Sequence, residues 1–316
     1  MSTDSDIVCV GDIIVECIVR QPSLPPADVT VILDYVHQEM GGPAFNICWY
    51  LSHFGRHPRL VGPFGRHNQV LVDKTLSSAQ LEKIGLVPIE GDSDFLVSVL
   101  TEYHHHSIYL RSTLPDTITT EIYSRCNKSR CLILTGSRHS LIRKTLIKLV
   151  NTFQGEFLAF NPSYAIYEYE KNELAYLLSK ANVTIMNKQE AEHACQLLST
   201  RNIDQLFKHM VVGSLIVTLG AEGVHIYYKE GILRKNKICS FATVTSTNAI
   251  GAGDALFAGF LHEMLNGKSL SDAAQFGSVM AAYVVESSQI RVHISEHQVR
   301  QRLNSGRYSQ VVEMLI

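Results

Sequence analysis

The sequence predicts an α/β fold in which a mostly parallel sheet is covered on both faces by helices, with a small strand-built extension. Two observations carry this. From about residue 130, short apolar runs such as Cys131–Thr135, Phe157–Phe160, Val183–Met186 and Leu215–Leu219 alternate with stretches of helical periodicity, the pattern of strands buried on both faces. Each run also ends on a residue suited to a sharp turn or a polar contact. Gly11, Gly136, Asn161, Asn187 and Gly220 stand at these ends, where open α/β sheets bind their ligands. The chain has 316 residues, 46% hydrophobic and 18% charged, with a formal charge of -2, which is enough for a large core. No internal repeat or linker divides it.

Taken in order, Ile7–Glu16 reads as a buried strand that acquires two acids, Asp12 and Glu16, near its end. Carboxylates there are costly without a partner, so they meet either a ligand or solvent. A loop, Gln21 to Ala27, precedes a strand candidate at Val29–Tyr35. Gly41-Gly42-Pro43 then opens a helix, with Pro43 at its first position, Ile47, Cys48, Leu51 and Phe54 on its buried side and Gly55 ending it. Asn46 lies one turn in, where its amide needs a partner or exposure. The spacing predicts a helix over about 68–84 and a hairpin over 95–111 whose tip carries His104, with Arg111 ending its second strand. Helices follow over about 139–153, 171–180, 188–198 and 202–210, then a hairpin through Ile226–Tyr228 and Ile232–Arg234. A helix rich in small residues, about 271–286, suits close packing or a flat ligand, and a last helix begins near Ile294.

Near the C-terminal end, Asn248-Ala249-Ile250-Gly251-Ala252-Gly253-Asp254 runs into an amphipathic helix with Leu256, Phe257, Phe260, Leu261, Met264 and Leu265 at helical spacing. A helix N-terminus presents unpaired N–H groups and a positive partial charge, and glycines let a phosphate come close. Two readings of Asp254 stand. It removes a proton from an attacking hydroxyl while the loop holds a phosphoryl group, or it stabilises the first turn as acids commonly do.

Other classes are set aside. The charge balance and the lack of a Lys/Arg run argue against nucleic acid as a partner, and no apolar stretch is long enough for a membrane span. The polar start, MSTDSD, does not look like a signal peptide. Seven scattered cysteines read as buried free thiols of a reducing, cytoplasmic protein.

Six stretches in order and spacing, GDIIVE (11–16), GGPAFN (41–46), IYLR (108–111), NKQE (187–190), TLGAEG (218–223) and NAIGAGD (248–254), resemble the PfkB/ribokinase family of carbohydrate kinases, most of all its fructokinase-like branch. The resemblance spans nearly the whole chain. It implies a ribokinase-like three-layer α/β/α sandwich with a small β-sheet lid from segments about 12–40 and 96–112. The activity it implies is ATP-dependent phosphorylation of a hydroxyl on a sugar or related polyol. Carried over by residue, Asp254 is the general base, and Gly251, Ala252 and Gly253 belong to the anion hole. Asn187 and Glu190 help place Mg²⁺ and the phosphates through water, Glu190 being the metal-side residue. Thr218, Gly220 and Gly223 border the nucleotide, while Asp12, Glu16, Gly42, Asn46 and Arg111 face the substrate. A homodimer through the lid is an option that the resemblance leaves open.

The chain also departs from the family pattern. Asn248 and Ala249 stand where Asp and Thr are usual, which leaves the monovalent cation open. Glu16 replaces an Asp in the sugar site, His67 stands where another Asp is common, Asn161–Ala165 reduces an Asp-Pro-Asn-x-Arg pattern, and Glu286–Gln289 lacks an expected Gly. Two rival readings follow: a member that binds nucleotide or sugar without turnover, and a nucleoside kinase with Phe45, Tyr109 or Trp49 as aromatic walls for a base.

Overall fold

A computed structural model describes residues 6–21, 23–25, 27, 28, 30, 37–101, 105–126, 129–210, 213–230, 232–238, 249–287, 289–305 and 312–315. The expected strand at 29–35 falls almost wholly outside them, as do Asn248, Ser288 and the hairpin-tip His104.

The first half of the chain lays down β1 (Ile7–Val10), β2 (Ile14–Arg20), β3 (His37–Gly41), α1 (Pro43–His53), β4 (Arg59–Gly65), α2 (Gln69–Ala79), β5 (Leu86–Ile89), β6 (Asp94–Leu100) and β7 (His105–Leu110). Next come α3 (Ile118–Arg125), β8 (Cys131–Thr135), α4 (Ser140–Thr152), β9 (Phe157–Asn161), α5 (Lys171–Lys180), β10 (Val183–Asn187), α6 (Lys188–Leu197) and α7 (Ile203–Leu206). The remainder is β11 (Ser214–Thr218), β12 (Val224–Glu230), β13 (Ile232–Ile238), α8 (Ala252–Leu265), α9 (Leu270–Val285), α10 (Glu296–Asn304) and β14 (Val312–Leu315).

Among the described residues the main sheet has ten strands in the order β14-β13-β12-β11-β10-β9-β8-β1-β4-β5. The block from β5 to β11 is parallel, and the rest is antiparallel. The predicted α/β class is therefore the observed one. Two apolar clusters cover the sheet's faces. One packs α1, α2, α8 and α9 against it, and the other packs α3 to α6. Strands buried on both sides explain why these segments read as continuous apolar runs rather than alternating ones.

A separate four-stranded sheet has the order β3-β2-β6-β7, with β2 parallel to β6 and antiparallel pairs outside. It takes the hairpin expected over 95–111, and the single strand expected over Ile7–Glu16 divides instead into β1 of the main sheet and β2 of this one. Four elements escaped the sequence reading, β3, β5, α3 and β14. α3 is eight residues long and polar on average, and β14 follows the helix expected to end the chain. The helix expected over 68–84 stops at Ala79, because Gln80 takes a left-handed φ of 54°. That expected over 202–210 breaks into α7 and a 3₁₀ turn at Phe207–His209. No helix among the described residues is long and apolar enough to cross a membrane. Cys9, Cys17, Cys48, Cys126, Cys131 and Cys195 are free thiols.

The small residues of α9 serve close packing. A Cβ at Gly277 would lie 2.3 Å from the Leu256 carbonyl oxygen of α8, and one at Gly259 would lie 2.4 Å from Met280 Sδ. α8 is thereby fixed against α9, and its N-terminus lines one cleft with the ends of β9, β10 and β11. Because backbone rather than a flexible side chain meets the new group, Gly277→Ala is expected to destabilise the protein by about 1–3 kcal/mol in urea unfolding. An unchanged midpoint would contradict this packing.

Candidate active site

A cleft of about 480 Å³ opens at the C-terminal ends of the parallel strands, between them and the small sheet. The strand-end rule thus locates it from topology alone. Its lining brings together Glu16, Asn46, Asn187, Glu190, Thr218, Gly251, Gly253 and Asp254, which lie up to 238 residues apart by their numbers in the chain.

The α8 end of the cleft begins at Gly251, whose φ of 78° suits glycine and whose added Cβ would meet the Ile290 carbonyl oxygen at 2.7 Å. Ala252 N donates to Ala249 O and Ala255 N to Gly251 O, at 3.3 and 2.9 Å. Gly253 and Asp254 lie in the first turn of α8, where the leading N–H groups of a helix point out of its end. A Cβ at Gly253 would meet nothing within 4 Å, so space and donors coincide there. This is what an oxyanion group requires.

Asp254 is half-buried in the cleft wall, and Asn46 Nδ2 donates to its Oδ2 at 2.8 Å. This answers the question of a mid-helix Asn. α1 is buried from Pro43 to Ser52, and Asn46 uses its amide inside. Loss of water raises the Asp254 carboxyl to about 6, against the opposing pull of the Asn46 bond and of Arg291. Glu16 on β2 is also buried. Gly42 N donates to its Oε1 at 3.1 Å, and Oε2 has no partner. Its carboxyl lies near 7, chiefly from desolvation. Gly41 makes the room, since a Cβ there would fall 2.2 to 2.6 Å from the Glu16 carboxylate.

Across the cleft, Asn187 and Glu190 form a reciprocal capping box at the start of α6. Asn187 Oδ1 accepts from Glu190 N and Glu190 Oε2 accepts from Asn187 N, both at 2.8 Å. The pair therefore has a structural task, and one Glu190 oxygen is left over. Burial pushes that carboxyl up to about 7. Thr218 ends β11 in the lining, while Gly220 and Gly223 form the 3₁₀ turn beyond it at positive φ. Ala252, Gly220 and Gly223 do not themselves line the cleft.

Three expected substrate contacts lie elsewhere. The Asp12 carboxylate is spent on Ser137, whose hydroxyl donates to it at 2.6 Å, and on Arg138 N at 3.3 Å. Gly42 acts through Glu16, and its φ of 95° together with Asp12 O, 2.6 Å from an added Cβ, admits glycine alone. Arg111 is outside the lining and donates from Nη1 to the Arg138 carbonyl at 3.2 Å. The hairpin ends one residue before it. Of the aromatics considered as walls, Phe45 and Trp49 are core residues and Tyr109 alone lines the cleft. His67 lies on the surface near Asp92.

Three cleft-side residues escaped the sequence reading. Arg138 stacks over Tyr109 and Tyr164 at 4.7 and 5.3 Å from their ring centres. The strand end at Gly136 and the altered Asn161–Ala165 stretch were signals for these. Arg291, in the loop after α9, donates from Nη1 to Asn46 Oδ1 at 2.8 Å and pairs through Nη2 with Glu39 of β3. Nothing in its local sequence marks it. Elsewhere His262, Glu263 and Glu296 approach one another as metal ligands do, but Arg300 already pairs with both acids at 2.8 and 2.6 Å.

Glu16, Glu190 and Asp254 all bind a proton more tightly folded than unfolded. Stability from this source is fully present below the unfolded carboxyl values and falls as pH rises to about 6 for Asp254 and about 7 for the glutamates. Glu16→Gln keeps an acceptor for Gly42 N and removes one of these costs. It is expected to raise stability at pH 8 by on the order of 2–3 kcal/mol and to change little at pH 5, by urea unfolding at both values. Equal stability at pH 8 would contradict the burial described.

The chain is similar in sequence and fold to known kinases. The chain is 22% identical to a nucleoside kinase of Methanothermobacter thermautotrophicus over 94% of each chain. Its fold matches that of a Burkholderia thailandensis nucleoside kinase in complex with inosine, with a TM-score of 0.82, 17% identity and 95% and 98% of the two chains covered. It also matches an Arabidopsis thaliana ribokinase complexed with ribose and ATP, with a TM-score of 0.75, 17% identity and 94% and 98% covered. The model for pfkB family carbohydrate kinases matches residues 4–296, and with nearly the whole chain so matched, the protein belongs to that family of kinases.

Proposed function

We propose that the protein transfers the terminal phosphoryl group of ATP to a hydroxyl of a small sugar or polyol, with Asp254 as general base. The observation that carries this is one cleft holding the half-buried Asp254 carboxylate, the N-terminal end of α8 and the unpartnered oxygen of Glu16. Asp254 takes the proton from the attacking hydroxyl as its oxygen bonds to phosphorus, and ADP leaves. With its carboxyl near 6, Asp254 is ionised at neutral pH and remains basic enough to accept that proton. The amides from Gly251 to Gly253 stabilise charge on the transferring group, and in-line placement does most of the catalysis. Glu16 Oε2 accepts from a second substrate hydroxyl.

The nucleotide side fits the residues present. Gly220 has open space where a Cβ would stand, Thr218 lies in the lining, and Glu190 keeps one oxygen beyond its capping bond. Glu190 and Asn187 would hold Mg²⁺ through water, and the ion, when bound, supplies positive charge to the phosphates. The small sheet, from segments about 12–40 and 96–112, acts as a lid on a single kinase domain. Glu16, Leu96, Ser98, Ser107 and Tyr109 from its strands supply one wall of the cleft.

A nucleoside substrate is the second reading. The stack of Tyr109, Arg138 and Tyr164 favours it by offering a flat wall with hydrogen-bond donors, and nucleoside kinases are among the relatives. ADP release with Mg²⁺ over a panel of sugars and nucleosides separates the two by which gives the larger kcat/KM. Asp254→Asn is expected to lower kcat by about 10²–10⁴-fold on the best substrate with little change in KM. If no compound raises ADP release above that variant, the protein binds without turnover.

A further inference from the structure

We propose that Arg291 is the positioning residue for Asp254, fixing the Asn46 amide against the carboxylate and making that contact depend on the seating of the small sheet; this rests on the reading of Asp254 as the base. The Arg291 side chain is 6% exposed and lies over the Phe45 ring at 4.9 Å. A guanidinium offers donors only, so the 2.8 Å bond from Nη1 requires Asn46 Oδ1 to face it. The amide NH₂ must then face Asp254 Oδ2, where it is found at 2.8 Å. With Arg291 the amide is oriented from both sides; without it only the Asp254 carboxylate holds the NH₂ group inward, and Asn46 Oδ1 loses its donor. The second arm of the fork reaches Glu39 on β3, so one guanidinium joins the small sheet to the start of α8.

The charges around Asp254 give the arrangement a further effect. Cys9 on β1, Glu16 on β2, Tyr50 on α1 and Glu190 on α6 all act on or are acted on by it, and Glu39 stands behind Arg291. Among these groups Arg291 alone is cationic. Its charge works with the Asn46 bond, the larger of the two effects, to oppose the desolvation that raises the Asp254 carboxyl.

The test is a titration of the Asp254 carboxyl by ¹³C NMR in the full chain, assigned with Asp254→Asn, beside the pH profile of kcat. Arg291→Met is expected to raise the midpoint by about one pH unit or more and to move the acid limb of kcat upward equally, with KM for ATP unchanged. Arg291→Lys keeps the charge without the fork, so its midpoint stays near the wild-type value while kcat falls about tenfold. Glu39→Gln combined with Arg291→Met should lose no more kcat than Arg291→Met alone. An unmoved midpoint in Arg291→Met would overturn the positioning role, and additive losses would overturn the tie to the small sheet. If Arg291→Met does not fold, a midpoint in Arg291→Lys displaced by a full unit overturns the charge argument. Should Asp254→Asn retain full kcat, the base reading fails, and the NMR midpoints still decide the placement of Arg291.

Discussion

The bond from Asn46 to Asp254 joins two parts of the chain that are 208 residues apart, and the cleft depends on it. A carboxylate taken from water needs donors or opposite charge to compensate. Here the compensation comes from one amide, itself held by a guanidinium, at the meeting point of two buried helices. α1 must be buried on all sides for Asn46 to reach inward, and α8 must pack tightly on α9 for its first turn to stand opposite. The glycines at 42, 259 and 277 follow from these demands, since each accepts a backbone or side chain where a Cβ would collide.

Several groups in the cleft carry out two tasks. Asn187 and Glu190 cap α6 and also face the cleft, so a carboxylate in the nucleotide region is held rigid by ordinary helix chemistry. The Asp12 carboxylate, by contrast, ties the end of β1 to the turn before α4. Glu16, four residues further on, keeps a free oxygen. The two acids looked alike in sequence, and only their neighbours distinguish them.

Much of the fold was legible because its signals are local and periodic: apolar runs for doubly buried strands, and glycine or asparagine where the chain turns. The central loop was legible because glycine spacing before a helix has a direct physical meaning. What escaped detection depends on long-range contacts. α3 is only eight residues long and polar on average, and β14 is defined by its pairing with β13. Arg291 carries no signal of its own, since its role is set by Glu39 and Asn46, each about 250 residues away. Arg111 stands outside the cleft lining, one residue past the end of β7. Conversely, Asn46 looked unfavourable in a helix, and that local cost marked the residue that touches Asp254.

The central claim is that phosphoryl transfer takes place between Asp254 and the amide end of α8. A structure with a non-hydrolysable ATP analogue and the best acceptor tests it most directly. The account predicts the terminal phosphate against the amides of residues 251–253, the nucleotide along residues 218–223, and the accepting hydroxyl within hydrogen-bond reach of Asp254. Nucleotide bound away from these residues, or a substrate with no hydroxyl near Asp254, would contradict it.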